Sequence, residues 1–206
     1  MYAVQKETSL DLIELAQSGD GHAQGQLVKL WYPRIYNYAY KYFGDGDLAK
    51  EAAQQTFIAM HGNIQKLKDC SKFKWWIYTI VANTCRQESR RGKRHKWLSF
   101  DQLLPKKEDE NSPAWEISTP HLSNPEKTYM QTELGAILKK CIKKLNYDQR
   151  EVLIMKEYEG LKFREIAEIL KVSENTVKSR LYYAFAQMKK LLEKENITEK
   201  TVSYED

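Results

Sequence analysis

Two groups of side chains in this sequence have the types and spacing to do chemistry, and in both it is the chemistry of holding a nucleic acid. Within Gly160 to Ala184, the residues Asn175, Lys178, Ser179, Tyr182 and Tyr183 share one side of a helical pattern. Amides, hydroxyls and an ammonium on such a face can reach base edges and phosphates in a major groove. Upstream, the stretch Phe73-Lys-Trp-Trp-Ile-Tyr-Thr-Ile-Val-Ala-Asn-Thr-Cys-Arg-Gln-Glu-Ser-Arg-Arg91 alternates aromatic, apolar and basic residues. An aromatic, then an asparagine, then a basic run at helical spacing suits a single-stranded DNA platform, where rings stack on unpaired bases and guanidinium groups hold the backbone. Each group also has a plainer reading. Any amphipathic helical hairpin shows the first pattern, and Trp76, with Ile77, Ile80 and Val81, equally suits a core face.

Rival chemistries are missing from the text. There is no Gly-rich phosphate loop, no pair of catalytic carboxylates on strands and no metal-ligand spacing, so no enzyme activity is expected. Cys70, Cys85 and Cys141 are odd in number and far apart, and the four histidines are scattered, which points to neither a disulfide framework nor a zinc site. Gly44-Asp-Gly-Asp47 lacks the remaining ligands of a calcium loop and reads as a turn that caps the next helix. No metal and no cofactor are therefore expected. No run approaches the ~18 apolar residues of a membrane span, and Met1-Tyr-Ala-Val-Gln-Lys-Glu lacks a signal-peptide core, so the expected location is cytoplasmic without membrane insertion.

Charge is distributed in blocks. The 206 residues carry a net +5. Residues 86–96 hold Arg86, Arg90, Arg91, Lys93, Arg94 and Lys96 against Glu88, a net of +5; residues 101–126 are net −4; residues 129–192 return to +5, with 13 bases and 8 acids. Two basic bodies flanking an acidic strap are the footprint of polyanion binding.

The elements that must position these groups all follow helical periodicity, which predicts an all-α protein of two small domains. Leu10, Leu12, Ile13, Leu15 and Ala16 open a first helix, stopped by Ser18-Gly-Asp-Gly21. A tyrosine-rich second helix runs from about His22 to Phe43 with Trp31, Ile35, Tyr38, Ala39 and Tyr42 inward, and Pro33 is expected to bend or restart it. A third spans Leu48 to about Met60, and after a loop at 65–72 a fourth covers Phe73 to Arg91. From 97 to 128 four prolines and no sustained periodicity mark a linker. Residues 129–145 make a helix with Leu134, Ile137, Leu138, Cys141, Ile142 and Leu145 inward and Lys139, Lys140, Lys143 and Lys144 outward. Asn146 caps the next helix, Tyr147 to Glu159, which Gly160 ends. Phe163, Ile166, Ala167 and Leu170 then line a short helix, and Ser173 caps a longer one with Val177, Leu181, Phe185, Met188 and Leu192 inward. The two form a helix-turn-helix. A polar tail, 193–206, has a net charge of −3 and is expected to fray.

The wording Gly-Leu-x-x-x-Glu-Ile-Ala-x-x-Leu-x-Val-Ser-x-x-Thr-Val-Lys-Ser-Arg-Leu, from Gly160 to Leu181, resembles the C-terminal DNA-binding domain of bacterial extracytoplasmic-function (ECF) sigma factors. The Phe73–Arg91 helix resembles their melting and minus-10-reading region, and Ala-Ala-Gln-Gln-Thr-Phe at 52–57 their polymerase-docking segment. The resemblance covers roughly 10–96 and 129–192, in the family's order.

That resemblance implies a promoter-specificity subunit with RNA polymerase core, promoter DNA and an anti-sigma factor as partners. It assigns Lys178, Ser179, Tyr182 and Tyr183 to the minus-35 element, with Arg164 and Thr176 on phosphates. Leu67 and Asn83 would border a pocket for a flipped non-template base; Lys74, Trp75 and Trp76 would face the opening duplex, and Arg86, Arg90 and Arg91 would hold phosphates. Glu51, Gln54, Gln55 and Phe57 would dock on polymerase. The acidic linker would either follow the path of nascent RNA or serve as a solvated tether. Three departures stand out: Lys171 sits in a turn where glycine is common, Tyr183 where arginine is common, and Ala52 and Gln55 where carboxylates are expected. A response-regulator-type transcription factor has a similar helix-turn-helix, but its receiver half would alternate strands and helices, which residues 1–96 do not.

Overall fold

Ser9 accepts from the Leu12 amide and starts α1 (Leu10–Gln17), and Asp20 accepts from His22 and Ala23 to start α2 (Gly21–Phe43). A computed structural model of the chain describes residues 9–98 and 125–197, with side chains over 9–91 and 133–197. The connector 99–124, the tail from 198 and the side chains of Lys93, Arg94 and Lys96 lie outside the described residues. Every regular element among the described residues is helical.

Helix α2 continues through Pro33 without a restart. The ring removes one internal hydrogen bond, but Trp31 and Ile35 on either side are buried, so packing carries the helix past the proline without the restart that was one of the two expectations. Gly44 at φ 65° ends α2, and Asp45 accepts from the Asp47 and Leu48 amides to begin α3 (Gly46–Asn63). The expected turn and cap are therefore present. Ala49, Ala52 and Ala53 are fully buried on α3, and with no bulk beyond Cβ they let α2 and α3 approach closely. Short 3-10 turns at Ile64–Lys66 and Cys70–Lys72 lead into α4 (Phe73–Leu98). Phe73, Ile77, Tyr78, Val81 and Cys85 of α4 complete this first core, with Trp31 edge-on to Phe73 at 5.5 Å between centroids.

Helix α5 (Pro125–Lys144) begins inside the stretch read as linker. Asn146 caps α6 (Tyr147–Leu153) through the Gln149 amide; the expected helix to Glu159 instead ends in a π-helical segment, Ile154–Tyr158, before Gly160 at φ 64°. Then come α7 (Phe163–Leu170) and α8 (Glu174–Lys194). On α8 the buried residues are Val177, Leu181, Ala184, Met188 and Leu191, while Phe185 is 48% exposed. The expected stripe drifted because consecutive steps of four overshoot a 3.6-residue turn; the observed one alternates four and three.

The two helical groups pack on each other. Helix α2 meets α5, and α4 meets α7, so buried side chains form one continuous core.

Candidate nucleic-acid interface

At the turn of the hairpin, Lys171 adopts φ 55° and ψ 47°, the left-handed conformation for which glycine is the relaxed choice. Ser173 follows as the cap of α8: its hydroxyl accepts from the Thr176 amide at 3.1 Å and meets the Thr176 hydroxyl at 2.9 Å. Thr176 is thus committed to the cap and half-buried. Beyond it, Asn175, Lys178, Ser179, Tyr182 and Tyr183 are exposed together, the two rings edge-to-face at 5.7 Å. Ser179 donates to the Thr176 carbonyl, Lys178 lies 5.8 Å from the Phe163 ring, and Arg164 pairs with Glu168 at 3.6 Å on the exposed side of α7. Arg180, on the other flank, pairs with Asp148 and ties α8 to α6.

The second group is distributed differently. Arg90 and Arg91 are exposed, and Arg91 pairs with Glu88. Asn83 is exposed but accepts from Arg86 Nη1 at 3.1 Å. Arg86 itself grips Glu151 of α6 with two bonds, Nε to Oε1 at 2.6 Å and Nη2 to Oε2 at 2.8 Å, and the Glu151 side chain is wholly buried. The hydrogen bonds it donates to Glu151 hold the Arg86 guanidinium above its ordinary value, while burial pushes the Glu151 carboxyl up against the pull of that same arginine. Trp75 Nε1 donates to Glu165 Oε1 of α7 at 3.0 Å, and the Tyr78 hydroxyl donates to Glu159. Trp76 is half-buried and tilted against Phe73 at 5.9 Å; Lys74 and Leu67 are also half-buried. The Leu67 carbonyl accepts from Gln17, which also bonds the Ile64 carbonyl and receives the Cys70 thiol, so one amide of α1 pins this loop.

On α3, Glu51, Gln54, Gln55 and Ile58 face outward. Phe57 is only 8% exposed and stacks on Tyr32, and Ala52 is completely buried. Ala52 is thus a core residue: a carboxylate there would point between helices, and the acid that faces outward beside it is Glu51. Lys139, expected outward, donates to the Tyr40 hydroxyl of α2 across the two groups.

Sequence reasoning missed the residues that join the halves. Glu151, Glu159 and Glu165 bond partners 65 to 90 positions away, and Arg150 reaches the Tyr42 carbonyl over 108. One signal was available: Arg150 and Glu151 directly precede the apolar run Val152-Leu153-Ile154-Met155, where a charge pair is bound to be drawn inside.

A helix-turn-helix with an open polar and aromatic face, preceded by a helical unit bearing an aromatic and basic helix, defines a two-part transcription protein. Family models agree in order and extent: Sigma-70 region 2 matches residues 27–95 and Sigma-70 region 4 matches residues 136–188. The chain belongs to the sigma-70 family of RNA polymerase sigma factors, in its ECF branch. It is 26% identical over 189 residues to the RNA polymerase sigma-H factor of Pseudomonas aeruginosa, covering 91% of this chain and 95% of that one. To the ECF RNA polymerase sigma-E factor of Escherichia coli K12 it is 28% identical over 174 residues, 84% and 88% of the two chains. Among solved structures, the fold is shared with the sigma factor RpoE of Bartonella quintana in complex with the anti-sigma factor NepR (TM-score 0.62, 21% identity, 82% of this chain and 96% of that one). It is also shared with CnrH in complex with the cytosolic domain of CnrY (TM-score 0.61, 21% identity, 90% and 97%). A region 2 in the first half disfavours the response-regulator alternative.

Proposed function

We propose that residues 129–192 read the minus-35 element through Lys178, Ser179, Tyr182 and Tyr183, with Arg164 and Thr176 on phosphates. Residues 1–96 dock on polymerase and open the minus-10 element. The observation that carries the first assignment is the joint exposure of those four side chains on one face of α8, with the helix held from behind by the Arg180–Asp148 pair. Tyr183 offers a ring edge and a hydroxyl in place of a guanidinium, which changes base preference at that position. In the first half, Asn83, Arg90 and Arg91 are exposed to a strand, Arg86 adjoins Asn83, and Lys74, Trp75 and Trp76 at the start of the same helix and Leu67 in the loop before it are half-buried. Docking uses Glu51, Gln54, Gln55 and Ile58, with Phe57 supporting them from beneath. The protein performs no reaction of its own, works in the cytoplasm, and is held by an anti-sigma factor, as the sigma factor RpoE of Bartonella quintana is in its complex. The segment 97–128 tethers the halves.

Run-off transcription with purified core tests the whole reading: the chain is expected to confer promoter-dependent initiation that core alone lacks. Lys178→Ala is expected to lose about 1–3 kcal/mol at one base position of a point-mutated promoter panel, and a uniform loss across the panel makes Lys178 a phosphate contact. Permanganate footprinting with Asn83→Ala and Trp76→Ala tests melting; unchanged opening by both folded variants removes the pocket assignment.

A further inference from the structure

Helix α1 lies ahead of residues 27–95, the stretch matched as Sigma-70 region 2, yet its last side chain reaches the loop that carries Leu67. Gln17 is half-buried at the end of that helix. Its amide nitrogen donates to the Ile64 carbonyl at 3.1 Å and to the Leu67 carbonyl at 2.5 Å, and its oxygen accepts the Cys70 thiol at 3.1 Å. A carboxamide has two donor hydrogens and an acceptor oxygen, so Gln17 commits both donors and the oxygen to one segment. The three partners stand 47, 50 and 53 positions away. Within that segment the two single-turn 3-10 helices close locally: the Ile64 carbonyl also accepts the Leu67 amide, and Asp69 accepts from the Ser71 amide and hydroxyl. Leu67 leaves the first turn extended, at φ −74° and ψ 106°, and its carbonyl is one of the two that Gln17 takes. A backbone carbonyl drawn away from water needs a partner, and this one finds it on a different helix. The anchor is itself fixed. Ala16 is fully buried, its carbonyl accepts Gln24 Nε2 of α2 at 2.9 Å, and Gln24 Oε1 meets His61 Nδ1 of α3. Gln17 thus acts from a point tied to α2 and, through it, to α3, and a group held in this way positions its partner tightly.

We propose that Gln17 is a positioning residue for minus-10 reading: it holds the segment 64–70 in the course that makes Leu67 a wall of the base pocket. Helix α1 then sets how sharply the flipped base is discriminated. The inference rests on the placement of Leu67 and Asn83 at that pocket made above. Released from Gln17, the loop divides its time between pocket-forming and other shapes, and affinity for the preferred base falls with the pocket-forming fraction. A wrong base gains nothing from the pocket and so loses nothing with it. The ratio between bases shrinks while binding in general survives. Two backbone hydrogen bonds together shift such an equilibrium by about tenfold, and a loss of discrimination of about fivefold is expected.

The test uses the full chain with purified core polymerase and a promoter library randomised in both elements. Sequencing the transcribed fraction gives a base preference at each position. Gln17→Met keeps the length of the side chain and removes all three bonds; Gln17→Glu keeps its shape and cannot donate to a carbonyl at neutral pH. Either variant that melts as a folded chain decides the outcome. Ser9→Ala is the control, because it removes the cap of α1 and loosens the helix without touching those bonds. Asn83→Ala marks the minus-10 position that the pocket reads. At that position the Gln17 variants are expected to flatten the preference about fivefold, while their minus-35 preferences and core affinity match those of Ser9→Ala. Equal flattening in Ser9→Ala overturns the proposal, because Gln17 then acts only through the stability of α1. A loss spread over every position of both elements does the same. If Asn83→Ala flattens a position and the Gln17 variants leave it sharp, Leu67 is placed without Gln17, and the proposal falls while the pocket stands. If Asn83→Ala flattens no position, the pocket assignment beneath the proposal falls.

Discussion

Arg150 offers the sharpest test of how the two halves are held. Its guanidinium donates to four backbone carbonyls: Ile142 at 3.1 Å, Leu145 at 2.9 Å, Lys143, and Tyr42 at 2.8 Å. Helix α5 ends at Lys144 and α2 at Phe43, so these carbonyls lie in or just past the last turns, where internal partners run out; the Ile142 carbonyl also accepts the Leu145 amide. One cation therefore closes two helix C-termini, where the dipoles favour positive charge. The residue is 7% exposed, and its guanidinium carbon lies 5.3 Å from the Tyr42 ring centroid and 5.6 Å from that of Tyr147. Arg150→Met keeps much of that apolar volume and removes every hydrogen bond. Four bonds to a charged donor at about 1.5–3 kcal/mol each overstate the loss, because they share one group and are not additive. A cost of about 3–5 kcal/mol is expected, the range for stranding several buried acceptors. Arg150→Lys, whose ammonium lacks the planar fork, is expected to recover about half of it. Urea unfolding followed by far-UV circular dichroism measures both. Three of the four acceptors belong to α5 and its end, so the C-terminal half is expected to unfold first. A loss below about 1 kcal/mol for Arg150→Met would refute the claim that this side chain carries the junction.

Other expectations rest on equally local observations. Lys171→Gly relieves a left-handed lysine and is expected to raise stability by up to about 1 kcal/mol in thermal melts, unless added freedom of the unfolded chain cancels it. Ser173→Ala removes the cap of α8 and is expected to cost about 1 kcal/mol by the same measurement. Ala52→Asp places a charge at a completely buried position and is expected to cost at least about 3 kcal/mol; a folded, fully stable variant would contradict the packing of α2 on α3. Burial pushes the Cys85 thiol well above its ordinary value and raises Cys70 and Cys141 as well, so thiolate is scarce at all three and access decides the order of reaction. Alkylation of the native chain near pH 8 is therefore expected to modify the partly exposed Cys70 first, and all three cysteines only after denaturation. Tyr38 has a buried hydroxyl with no hydrogen-bond partner, so Tyr38→Phe is expected to leave stability unchanged or raise it by about 1 kcal/mol.

What the sequence determined by itself was whatever depends on neighbours a few residues apart. Helical periodicity marked nearly every helix, Ser173 and Asn146 announced their caps, Gly44 and Gly160 their stops, and the outward set Lys178, Ser179, Tyr182 and Tyr183 emerged with the face it occupies. Where local pattern met packing, it erred by a fraction of a turn: Phe185 turned outward and Ala184 inward, Ala52 went into the core, and α2 ran on through Pro33. Only the tertiary structure decided the fate of the residues on α4. Periodicity places Trp75 and Arg86 on a helix face, but it cannot say what meets that face, because Glu165 and Glu151 arrive from 90 and 65 positions away. A buried charge must find its counter-charge wherever the chain brings one, and that pairing is a property of the packed fold, with no trace in the spacing of the sequence.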